Sequence, residues 1–188
     1  MKKTRYLKKN YDRSAAILFA VLIIGTVFGA IFFKKLPDIS GLKLMKHTVF
    51  GSFSDNFPSI ALIMLTLFIS GFSAIAQPLE ISALFAYGVS LSVKISGVYT
   101  LYGWRGFLFT LFSIIPFVMA NSFFLMLAGR EALKLSGSLT GFVFSGDGNE
   151  KTEPKLYMLK FCILSGLIIV CEVLASLVSY LCQGILKI

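Results

Sequence analysis

Long uncharged stretches alternate with short charged ones along this chain, and the length of the uncharged stretches matches a lipid bilayer. Residues 15–33, 57–76 and 106–129 run for 19, 20 and 24 positions without a charge. A membrane-spanning helix needs ~20 such residues. Two further apolar segments, 81–100 and 156–186, are interrupted near their middles by Lys94 and Glu172. No strict apolar–polar alternation of the kind a transmembrane barrel requires is present. The pattern predicts an all-α, polytopic integral membrane protein: one domain over residues 1–188 with five transmembrane helices at about 15–33, 57–76, 81–100, 106–129 and 156–186. The polar stretch 130–155 is expected to be a loop. Its first ten residues could continue helix 4 out of the bilayer, and its Gly- and charge-rich end reads as flexible.

Small residues recur at helical spacing inside these segments. Helix 1 carries Gly25 and Gly29, a GxxxG pair that permits close helix contact, more simply within the bundle than between chains. Helix 3 carries two four-residue lines, Ser82–Ala86–Ser90 and Gly88–Ser92–Ser96. Helix 2 opens on Pro58, which a first turn tolerates. The Gln77–Glu80 connection is so short that helices 2 and 3 are expected to pair tightly. Pro116 interrupts helix 4 and predicts a kink packed against protein. Asn121, five residues on, is best used in an interhelical hydrogen bond. On helix 5, Ser165, Glu172, Ala175, Ser176, Ser179 and Gln183 share a face that should point inward. Tyr99, Tyr102 and Trp104 read as an interfacial aromatic belt.

Composition changes this picture only by excluding alternatives. The chain is 56% hydrophobic and 14% charged, with a mean hydropathy of +0.83, against about a quarter charged in a soluble domain. The net charge of +9 does not indicate nucleic-acid binding, because the cations flank apolar segments. With the N-terminus in the cytoplasm, eleven Lys/Arg fall on the cytoplasmic side and six outside, which orients the chain N-in and C-out. Segment 15–33 is longer than a signal-peptide core and no cleavage site follows it, so it reads as an uncleaved helix. Within residues 34–56, positions 42–50 could form a short interfacial helix.

In that topology helices 3 and 5 run parallel, and Lys94 and Glu172 sit at similar depth at about 1.5 Å of rise per residue. Intramembrane charges are costly and normally paired or facing water. A Lys94–Glu172 contact is therefore expected, serving either as a structural ion pair or as part of a proton or ion pathway.

Catalytic chemistry is missing. There is no H-E-x-x-H, no phosphate loop and no G-x-S-x-G elbow. The single histidine, His47, has no ligand partners at metal spacing. Cys162, Cys171 and Cys182 lack CxxC spacing and read as buried small apolar residues. No catalytic residue, metal or cofactor is expected.

The central stretch, residues 60–130, resembles the stage II sporulation protein M family. The resemblance is carried by Gly71 in helix 2, Pro78 in the turn, Tyr87–Gly88 in helix 3, Gly106 before helix 4 and Ile115–Pro116 within it. Many members follow that proline with His-Gly and then place a Glu five residues after it. Here Phe117–Val118 and Asn121 stand at those positions, so the chain is read as a divergent, clostridial-type member. The resemblance implies a non-enzymatic scaffold of the bacterial plasma membrane. Such a scaffold would localise membrane-anchored peptidoglycan hydrolases at the sporulation septum and around the engulfed forespore, with homo-oligomers as a further assembly. The alternative is the permease-type subunit of a transporter served by a separate ATPase.

Overall fold

The computed structural model describes residues 2–32, 49–73, 76–145 and 154–186. Those residues form helices α1 (Lys2–Phe32), α2 (Val49–Gly71), α3 (Gln77–Phe109), α4 (Ile115–Ser145) and α5 (Pro154–Leu186), with a π-helical turn at Thr110–Ile114. Among the described residues the fold is all-helical. Three helical stretches are long and apolar enough to cross a membrane: Gln77–Thr100, Tyr102–Thr140 and Pro154–Cys182. The apolar parts of α1 and α2, Ala16–Phe32 and Phe57–Gly71, are shorter. His47 and most of the expected interfacial helix lie outside the described residues.

Close backbone approach joins α1 to α3. A Cβ placed on Gly25 would stand 2.5 Å from the Phe85 carbonyl oxygen, and one on Gly29 would stand 2.9 Å from the Val89 carbonyl and the Ser92 Cβ. From the other side, a Cβ on Gly88 would meet the Leu22 carbonyl at 2.6 Å. Contacts that advance together along both helices make α1 and α3 parallel. Only a hydrogen at these three positions lets the backbones meet, and in lipid such close packing must supply what hydrophobic burial supplies in water. Among the described residues α1 touches only α3 and α4.

The remaining helices enclose an apolar core in which Leu67, Leu84, Leu125 and Ala132 are fully buried. An aromatic group ties α2 to α5: Phe68 stacks on Tyr157 at 5.9 Å and tilts against Phe161 at 5.2 Å. The Tyr157 hydroxyl donates to the Leu67 and Phe68 carbonyls at 3.3 and 3.2 Å. Gly71 is the small residue that admits this tyrosine, since a Cβ there would collide with its ring. Outward faces carry large apolar side chains, such as Leu62, Met119 and Leu181, as a lipid-facing surface does.

Several boundaries differ from the pattern-based ones. Helix α2 begins at Val49 and contains Pro58. Residues 77–80 are not a free turn but the first turn of α3, with Pro78 at a position where the missing N–H costs nothing. The helices are joined through residues 72–76, of which Phe72 and Ser73 donate their backbone N–H groups to Ile69 O and Ser70 O. At the other end of α3, Gly103 has φ 53° and ψ −128°, a left-handed conformation that only glycine adopts cheaply. The chain doubles back there, so that Gly106 packs on the Val98 carbonyl and Phe109 joins Val98 in a second buried cluster. Helix α4 then runs on to Ser145, well past the apolar limit at 129, because hydropathy marks the hydrocarbon and not the end of the helix.

Alanine at Gly25 or Gly88 is expected to cost at least the ~1–3 kcal/mol of an overpacked core, read as lost resistance to unfolding in a denaturing-detergent titration. Gly166→Ala serves as the control, since a Cβ there meets nothing within 4 Å, and it should leave stability unchanged or raise it by up to ~1 kcal/mol.

Candidate functional site

The polar residues of the interior gather where α3, α4 and α5 meet at mid-span. Glu172, 4% exposed, accepts a hydrogen bond of 2.6 Å from the Asn121 side-chain amide. Lys94 on α3 lies within electrostatic reach of the same carboxylate, as does Tyr87, which stands beside Ser122. Ser176 turns its hydroxyl back to the Glu172 carbonyl at 2.9 Å. Two turns along α5, Ser179 and Ser113 share a hydrogen bond of 2.8 Å.

The π-helical turn explains why both α4 residues reach α5. Glu172 and Ser179 are seven residues apart, which at about 100° per residue returns them to within about 20° of one face. Ser113 and Asn121 are eight apart and would diverge by about 80° on a regular helix. The turn at Thr110–Ile114 accommodates one extra residue, with Ile115 N–H bonding to the Thr110 carbonyl five positions back. Ser113 lies inside that widened turn, and both it and Asn121 reach α5. One residue, Ile115, separates the turn from Pro116, whose missing N–H weakens the backbone ladder here. The proline-associated irregularity is thus a widened turn that aims Asn121.

A second polar group sits at the opposite end of α3. Glu80 is fully buried, and neither carboxylate oxygen has a hydrogen-bond partner among the described residues. Ser70 stands beside it, although the Ser70 hydroxyl is spent on the Leu67 carbonyl at 3.0 Å. Its place in the first turn of α3 puts the carboxyl at the positive end of the helix dipole. Ser136 closes this end by donating to the Ser73 carbonyl at 2.7 Å. Outside it, Lys160 pairs with Glu131 at 2.8 Å. Sequence reasoning assigned Glu80 to a turn; the signal that could have found it is a carboxylate two residues after a proline that opens an apolar helix.

The other expected residues divide into those the fold brings together and those it does not. Gly25, Gly29, Gly88 and Ser92 meet at the α1–α3 seam, and Ser96 continues that face. Gly71, Gly106, Pro78 and Pro116 shape chain ends and turns and touch no common site. On α5, Ser165, Glu172, Ala175, Ser176 and Ser179 all turn inward to some degree, and the Gln183 side chain lies outside the described residues. Arg130 and Glu131 belong to the helical extension of α4. The cysteines differ from expectation: Cys162 is exposed, Cys171 and Cys182 are half-buried, and all three are free. A thiol is apolar enough to face lipid, so burial in protein is not required of it.

The Asn121 amide thus binds a carboxylate that comes from α5. The centre offers one carboxylate, one ammonium and one amide, with the hydroxyls of Tyr87, Ser122 and Ser176 around them. No cluster of three His, Cys, Asp or Glu suited to a metal occurs among the described residues.

Asn121→Ala and Glu172→Ala are each expected to destabilise the protein. In a double-mutant cycle their coupling should be ~1.5–3 kcal/mol, the range for a hydrogen bond to a charged group. Independent, additive losses would mean that the two side chains do not meet.

No family model, curated protein or solved structure matches this chain.

Proposed function

We propose that this protein is a non-enzymatic scaffold of the bacterial plasma membrane that gathers singly anchored partner proteins through helix–helix contacts inside the bilayer. All five helices cross, with the N-terminus in the cytoplasm and the C-terminus outside. The observation that carries the reading is the division of α3. Its Gly88–Ser92 line is consumed by α1, while the Ser82–Ala86–Ser90 line is exposed at membrane depth. A small-residue face left open in lipid is suited to another helix. The nature of the partners, peptidoglycan hydrolases acting in septal thinning and engulfment during endospore formation, comes from the resemblance to the stage II sporulation protein M family.

A second reading, the permease-type subunit of a transporter with a separate ATPase, is favoured by Lys94, Asn121 and Glu172 near mid-span, where ionisable groups often mark a transport path. Against it, the Glu172 carboxylate is engaged by Asn121, and two cavities lined by residues of α1, α3 and α4 are apolar.

Mild-detergent affinity purification from the native host separates the two. A scaffold should bring down singly anchored wall hydrolases, and Ala86→Leu or Ser90→Leu should lower their recovery roughly tenfold, equivalent to ~1.4 kcal/mol, at unchanged amounts of the protein itself. Gly88→Leu is not a clean test, because that residue holds α1. Lys94→Met should leave recovery intact. A co-purifying nucleotide-binding subunit, with Lys94→Met abolishing activity, would overturn the scaffold.

A further inference from the structure

The side of the bundle formed by α1, α3 and α4 carries two apolar cavities, of ≈ 410 and ≈ 230 Å³. Ser92 and Ile95 line both, so they form one groove. On α1 it runs from Phe19 to Ala30, which is about 16 Å at 1.5 Å per residue. Half of a ~30 Å hydrocarbon core is the same length. The groove therefore covers one leaflet, from mid-span to the Tyr99–Trp104 end.

Its inner end is closed. A Cβ placed on Gly129 would stand 3.2 Å from Leu84 and 3.6 Å from Leu18, and both leucines are fully buried. A partner's transmembrane helix needs a seat across both leaflets and would ride over this filled half. A single acyl chain needs only one leaflet. The groove's volume alone lies in the ~300–1,000 Å³ range of small-molecule sites.

The outer end has the chemistry of a headgroup site. Thr110, 4% exposed, lines the groove there, and its buried hydroxyl has no hydrogen-bond partner among the described residues. Trp104, exposed, stacks at 5.2 Å on Phe107, another lining residue. The next residue along the chain, Arg105, is an exposed cation. Tryptophan and arginine at the bilayer surface are suited to glycerol esters and phosphate.

We propose that this groove binds one anionic phospholipid, an acyl chain lying along Ser92 and Ile95, an ester oxygen at Thr110 and the phosphate at Arg105. The inference rests on the membrane-spanning reading of α3 and α4 and is independent of the scaffold.

Trp104 is the only tryptophan in the chain, so its fluorescence reports on the mouth of the groove. The protein is reconstituted in phosphatidylcholine vesicles, and its emission is titrated with phosphatidylglycerol or phosphatidylcholine brominated on the acyl chains. Brominated phosphatidylglycerol should quench at about fivefold lower mole fraction, the preference that one basic residue near a membrane surface confers. Arg105→Gln should abolish that preference. So should filling the groove with Ser96→Phe or, on the opposite wall, Ala30→Leu, with helicity by circular dichroism confirming that each variant is folded. Equal quenching by the two lipids, or a preference that survives these substitutions, would overturn the site. Absence of quenching by either lipid would overturn the membrane-spanning reading itself.

Discussion

Inside hydrocarbon there is no water to drive apolar surfaces together and none to satisfy a stray polar group. The close helix seam and the polar contacts of α4 and α5 answer that constraint. Backbones must come close enough for dispersion to hold them, which is why α1 meets α3 at Gly25, Gly29 and Gly88, where any side chain would collide with a carbonyl or backbone atom. Polar side chains must find partners on neighbouring helices, which is why Asn121 reaches Glu172 and Ser113 reaches Ser179. On the α1–α3–α4 flank the packing leaves an apolar groove.

The two requirements are linked by the π-helical turn. On α5 the polar residues are spaced by seven, and on α4 by eight. On a regular α4, Ser113 and Asn121 would stand about 80° apart. Ser113 lies in the π-helical turn, next to the position where Pro116 removes a backbone hydrogen bond, and both side chains reach α5. The proline, the widened turn and the amide therefore act as one device, and moving any of them by one residue would turn Asn121 away from the carboxylate.

Much of this was legible in the sequence. Of the uncharged runs, 106–129 marked one long apolar helical stretch, while 15–33 and 57–76 marked the two shorter ones and the charge-interrupted segments became the other two long ones. GxxxG lies on the face of α1 that meets α3, and Lys94 lies within electrostatic reach of Glu172. Local spacing could not say which of the two small-residue lines on α3 would be covered, because that depends on where α1 lies. Nor could it pair Asn121 with Glu172, fifty-one positions apart. The π-helical turn was hidden because proline signals a disturbance without its form. Glu80 was hidden because a Pro-Leu-Glu connection looks like an exposed turn until the helix is seen to start at Gln77. Likewise the cysteines of α5 look like core residues by composition and turn out to face partly outward, since lipid accepts a thiol as readily as protein does.

The claim on which function turns is that the centre around Glu172 is dry, its carboxylate engaged by the Asn121 amide. Ser176, 2% exposed and bonded to the Glu172 carbonyl, is the position at which to test it. In a background with Cys162, Cys171 and Cys182 replaced by alanine, Ser176→Cys puts a single thiol beside the carboxylate, and a water-soluble thiol reagent is applied to the protein in bilayers. A dry, packed centre requires that this thiol stay unlabelled until the protein is unfolded. Rapid labelling in the folded state would mean that water reaches Glu172, and the centre would then be a path and not a clasp.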